Sequence, residues 1–136
     1  MNPDATVGIV LVSHSAALAE GAADLASQLA GGPEGVAVVP AGGTDDGGLG
    51  TSEAKVADAI KRADRGAGVL IIPDLGSAVL TVRALLADTD ELPGRVELAD
   101  APFVEGVVAA TVTAAAGVDI EAVRAAAEEA WNARKL

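Results

Sequence analysis

The strongest constraint in this chain is a recurring pairing: a short, unbroken aliphatic run, then a longer segment whose apolar residues return at helical spacing. Val7 to Val12 is the first such run, and a continuous run of that length suits a strand buried on both faces. From Ser15 onward, Leu18, Ala22, Leu25 and Leu29 follow a helical period until Gly31, Gly32 and Pro33 stop the helix. Val36 to Val39 repeats the strand pattern and leads into AGGTDDGGLG, a stretch too rich in glycine and aspartate for regular structure. A helix from about Ser52 to Arg65 then places Val56, Ala59, Ile60 and Ala63 on one face, and Gly66 to Gly68 close it.

VLIIPD is the most hydrophobic run, with Pro73 at its end, where a missing N–H does least damage. After Gly76 and Ser77 a third helix carries Val79, Val82, Leu85 and Leu86, up to the acidic turn DTDELPG. Val96 to Leu98 is a further short strand, followed by an alanine-rich helix to about Ala116 that Gly117 breaks. Asp119 suits the N-cap of the last helix, with Ile120, Val123, Ala127 and Trp131 as its core stripe.

Strands alternating with helices predict an α/β fold: a three-layer sandwich around a mainly parallel sheet of four strands, with room for a fifth, covered by helices on both faces. The composition agrees, because 51% of the 136 residues are hydrophobic while Phe103 and Trp131 are the only aromatics. Such a core must be close-packed and aliphatic. No linker or internal repeat divides the chain, so one domain is expected over residues 1–136.

Charge and residue usage exclude several classes of function. A net charge of -11 opposes affinity for nucleic acid and for anionic membrane surfaces. The absence of cysteine removes thiolate catalysis, disulfides and Cys-based zinc sites. The polar start MNPDAT and the shortness of the first apolar run give neither a secretory signal nor a membrane span, so a cytoplasmic location is expected.

Ligand chemistry in open parallel sheets gathers beyond the carboxyl ends of the strands. Three polar segments map there: SHS after the first strand, the glycine-rich loop after the second and DLGS after the third. His14, the only histidine, sits where a strand meets a helix, and the helix dipole there disfavours imidazolium and favours a phosphoryl group on the ring. It is either a strand-end polar residue or a nucleophile. Asp74 would emerge on the same edge, where a carboxylate can fix the tautomer and leave the opposite nitrogen free to attack. Ser77 and the amides around Gly76, with the Ser15 hydroxyl nearby, could donate to phosphoryl oxygens.

Other chemistries fit poorly. Gly50, Thr51 and Ser52 lack the lysine of a Walker loop, and the glycine fingerprint of dinucleotide binding is missing after the first strand. Asp45 and Asp46 read as a solvated pair, so no metal and no cofactor are expected. Ser13 and Ser15 flank the histidine without a nucleophile elbow, which disfavours a serine hydrolase.

Taken together, LVSHSAALAEG at 11–21, LGTSEAKVADAI at 49–60, PDLGSA at 73–78 and APFVEGVVAATVTAAAG at 101–117 resemble the phosphoryl donor subunits of phosphoenolpyruvate-dependent dihydroxyacetone kinases, whose domain is similar to the mannose-type phosphotransferase IIA domain. The resemblance implies that His14 accepts a phosphoryl group from phospho-HPr and passes it to ADP held by the nucleotide-binding kinase subunit. It implies an orienting role for Asp74, phosphoryl contacts from Ser77 and, more weakly, Thr51, and a homodimer. Some family members carry HPr-like and enzyme-I-like domains after this one; a chain ending at Leu136, if complete, is charged by a separate HPr. A sugar-transport IIA domain donating to a IIB domain, or a regulatory module phosphorylated on His14, are the alternatives.

Overall fold

A computed structural model describes residues 5–32, 35–92 and 94–136. Four strands, β1 (Gly8–Ser13), β2 (Val38–Gly42), β3 (Val69–Pro73) and β4 (Val96–Leu98), form one sheet in the order β2-β1-β3-β4. Every pairing is parallel. Five helices complete the fold: α1 (Ala16–Leu29), α2 (Glu53–Ala63), α3 (Gly76–Asp88), α4 (Phe103–Ala115) and α5 (Ile120–Glu129), with a 3-10 turn at Ala130–Asn132. This is the predicted α/β sandwich with the four strands expected, and no fifth joins the sheet among the described residues.

Successive side chains of a strand face opposite ways, and β1 shows the consequence. Ile9 and Leu11 join Leu70, Ile72, Val107 and Val123 in a core beneath α1, α4 and α5. Val10 and Val12 join Ile71, Val56, Ile60 and Val82 in a second core beneath α2 and α3. The chain leaves β1 for β2 on one side, then crosses back to β3 on the other. The switch point therefore lies between the carboxyl ends of β1 and β3, where His14 and Asp74 follow their strands.

Three sequence expectations need correction. The second strand begins and ends later than Val36–Val39, running through Pro40 to Gly42. Pro40 is tolerated because β2 is an edge strand, and Gly42 because a Cβ there would lie 2.5 Å from the Ser15 carbonyl oxygen. That approach brings α1 hard against the sheet, which produces the second correction. Ala22 is buried as expected and forms the buried face of α1 with Ala19, Ala23 and Ala26, while Leu18, Leu25 and Leu29 are 45%, 44% and 60% exposed. Only methyl-sized groups fit beneath so close a helix. Third, Trp131 is not a core residue: α5 ends at Glu129, and the indole lies on the surface at 60% exposure. Pro33 and Pro93, read as parts of turns, lie outside the described residues.

Candidate functional site

Ser15 caps α1, its hydroxyl accepting from the Leu18 N–H at 3.2 Å, so the helix axis starts immediately after His14. The His14 carbonyl accepts from the Gly50 N–H at 2.9 Å, which pins the histidine backbone to the glycine-rich loop. From β3, the Asp74 N–H donates to the Val12 carbonyl at 2.9 Å and brings the aspartate alongside.

Asp74 is the hub of the site. One carboxylate oxygen accepts from the Ser13 hydroxyl at 2.9 Å and from the His14 N–H at 3.0 Å. The other accepts from the Leu75 N–H at 2.7 Å and lies 3.0 Å from His14 Nδ1. Burial works against ionisation of Asp74 and is the largest single influence. The bonds from the His14 backbone, the His14 ring, Ser13 and Leu75 together outweigh it, and the carboxyl is held below the ordinary carboxylate value. An ionised carboxylate can only accept, so Nδ1 carries the proton facing it. The lone pair of the ring is thereby left on Nε2.

Nε2 lies 2.5 Å from the Ser77 hydroxyl oxygen, on the exposed side of the ring. Facing a lone pair, that hydroxyl donates. Ser77 belongs to the first turn of α3, whose N-cap position, Leu75, supplies no side-chain cap. The first-turn N–H groups beside Gly76 and Ser77 suit an anion arriving at Nε2. The histidine side chain is 23% exposed and that of Asp74 8%, so the ring can be reached while its orienting carboxylate is shielded.

The structure thus brings together His14, Asp74, Ser77 and Gly76. Ser15 lies beside them with its hydroxyl engaged as the α1 cap. Thr51 has its hydroxyl 2.6 Å from that of Thr81 on α3, and Thr81 in turn bonds the Ser77 carbonyl at 3.3 Å. Its visible role is to tie the glycine-rich loop to α3. Sequence reading missed Ser13, fully buried at the end of β1, which donates to Asp74 and accepts from the Ser15 N–H at 3.0 Å. Nothing local marks it, because its partner is distant in sequence. No group of three or more potential ligands able to hold a metal occurs among the described residues.

This geometry has relatives. Residues 8–124 match the family model described as the PTS system fructose IIA component, EIIA-man. The chain belongs to this family. Curated relatives named phosphoryl donor subunit DhaM of the PEP-dependent dihydroxyacetone kinase occur in Klebsiella michiganensis and Escherichia coli, each 39% identical. The matches cover 96% and 95% of this chain but only 28% of those proteins. A Listeria innocua DhaM is 36% identical, over 86% of this chain and 93% of the relative. The crystal structure of EF1359, a protein of unknown function, superposes with a TM-score of 0.77 at 35% identity, covering 91% of this chain and 94% of that one. The resemblance carried by the four sequence segments is therefore borne out.

Proposed function

We propose that the protein is a phosphohistidine carrier, the phosphoryl donor subunit of a phosphoenolpyruvate-dependent dihydroxyacetone kinase. The carrying observation is the pairing of His14 Nδ1 with Asp74 at 3.0 Å, which leaves Nε2 nucleophilic beside the uncapped start of α3. In the first step the Nε2 lone pair attacks phosphorus on the phosphohistidine of HPr; the donor's N–P bond breaks as the new one forms. The Nδ1 proton stays on the ring, so the phosphorylated imidazole becomes cationic and Asp74 balances it. In the second step the Nε2–P bond breaks as an oxygen of the terminal phosphate of ADP, held by the kinase subunit, takes the group. Such a transfer asks the protein for alignment and charge stabilisation, which a fixed ring, a hydroxyl and helix amides supply.

We further propose that the chain works as a homodimer in the cytoplasm. The exposed Leu18, Leu25 and Leu29 of α1 are an apolar surface that such an assembly could cover.

Incubation with phosphoenolpyruvate, enzyme I and HPr is expected to place acid-labile phosphate on His14, and addition of the kinase subunits with ADP to discharge it. No label on the wild type, or equal label on His14→Ala, would falsify the carrier reading. The family description as a sugar-system IIA component favours a second reading, donation to a IIB domain. Label that moves only to IIB selects it; label that moves to neither recipient selects a regulatory module.

A further inference from the structure

Three polar residues are buried among the described residues: Ser13, Ser52 and Thr111. Thr111 donates its hydroxyl to the Val107 carbonyl of its own helix, and Ser52 caps α2. Ser13, 0% exposed at the end of an otherwise aliphatic strand, is the one of the three that touches the site. Its backbone is held from β2, where it pairs with Gly42 and its carbonyl accepts from the Gly43 N–H at 3.1 Å. The hydroxyl is held as well. Its oxygen accepts from the Ser15 N–H at 3.0 Å, and its proton is directed at Asp74 Oδ2, 2.9 Å away.

We propose that Ser13 is a positioning residue for the transfer: a buried hydroxyl link from the start of α1 to Asp74 that aims the carboxylate at Nδ1 and so holds the Nε2 lone pair outward. Its consequence for the transfer rests on the carrier reading; its effect on the ring does not. The Leu75 and His14 N–H groups on the two Asp74 oxygens belong to the backbone, and among the described residues the Ser13 hydroxyl is the one side-chain donor to Asp74 besides the ring itself. With it each oxygen has two donors, and a carboxylate so held resists rotation of its plane. Without it Oδ2 keeps a single donor, the plane can swing, and Oδ1 leaves its line to Nδ1. The Ser13 bond also helps to hold Asp74 ionised, which is the form that accepts from Nδ1–H.

The test compares the whole chain with Ser13→Ala and Ser13→Cys. Alanine removes the hydroxyl; cysteine fills nearly the same space with a weak donor, which preserves the packing should the alanine variant fail to fold. The first readout is the pair of His14 imidazole nitrogen chemical shifts, taken above the titration range of the ring and with no phosphoryl donor present. In the wild type Nδ1 is expected to resonate as the protonated nitrogen and Nε2 as the bare one; in both variants the two shifts should move towards each other as the Nε2–H tautomer gains population. The second readout is His14 phosphorylation with phospho-HPr varied. The limiting rate should fall roughly tenfold, the scale of one buried hydrogen bond, while the half-saturating HPr concentration stays within about twofold, because a side chain this deeply buried meets no partner. Unmoved shifts in the folded cysteine variant, or a rate that falls only with the folded fraction seen by circular dichroism, overturn the positioning role. So does a mixed tautomer in the wild type, or a variant that changes half-saturation and not the limiting rate. A wild type with Nδ1–H fixed but no phosphate on His14 sinks the carrier reading, while the shifts of the variants still decide what Ser13 does to the ring.

Discussion

At the scale of single residues, the site depends on one carboxylate with four donors. Asp74→Asn keeps the shape but replaces one acceptor oxygen with an amide, so the ring loses the group that fixes Nδ1–H and balances the imidazolium. The expected loss in the rate of His14 phosphorylation is on the order of 10²-fold, measured as acid-labile label against time. The same aspartate makes a pH prediction. Its folded pKa is depressed, so its contribution to stability is present above the ordinary carboxylate value and is lost as pH falls through the lower folded value. Urea midpoints of wild type and Asp74→Asn should therefore differ most near neutral pH and converge in acid below that value. A gap that stays constant from neutral pH into strong acid would rule the linkage out. Ser77→Ala removes only the hydroxyl facing Nε2 and should slow phosphorylation less than Asp74→Asn does, without shifting the urea midpoint.

At the scale of elements, the site is placed by close packing between the end of β2 and the start of α1. Gly42→Ala would drive a methyl to 2.5 Å from the Ser15 carbonyl oxygen and 2.8 Å from Ala16 Cα, both backbone atoms that cannot turn aside. The expected cost is about 1–3 kcal/mol of stability, with slower phosphorylation because Ser15 and His14 move with the backbone. Equilibrium denaturation beside a phosphorylation assay checks both; a neutral Gly42→Ala would mean the two elements are free to separate. The cap of α2 gives a contrast at the same scale. The Ser52 hydroxyl accepts from the Lys55 N–H at 3.1 Å, and Ser52→Ala should cost roughly 1 kcal/mol through the lost cap.

For the whole molecule, a net charge of -11 acts over a distance set by salt. Charging by phospho-HPr should slow as ionic strength rises from about 10 mM to 150 mM and the Debye length shrinks from roughly 30 Å to 8 Å. A rate insensitive to salt across that range would exclude steering. The elements themselves were legible without a structure, because strand and helix periods are local: β1, β3, β4 and α2 fall close to where VGIVLV, VLIIP, VEL and the Val56–Ile60 face put them. The β-α alternation further dictated a parallel sheet, and the lone histidine at a strand end marked the edge where chemistry would gather.

Which face of α1 is buried could not be read this way. Leucines at helical spacing look like a core stripe, and only the pressure of Gly42 against Ser15 turns the alanines inward and the leucines out. The sequence could nominate His14 and Asp74, but the hydrogen bonds that choose Nε2 over Nδ1 join residues 60 positions apart. The same holds for Ser13 with Asp74. Local pattern is fixed by backbone geometry within a few residues. Contacts across the switch point exist only once β1 and β3 lie side by side, so the tautomer of the histidine and the shape of its surroundings were decided by the tertiary structure.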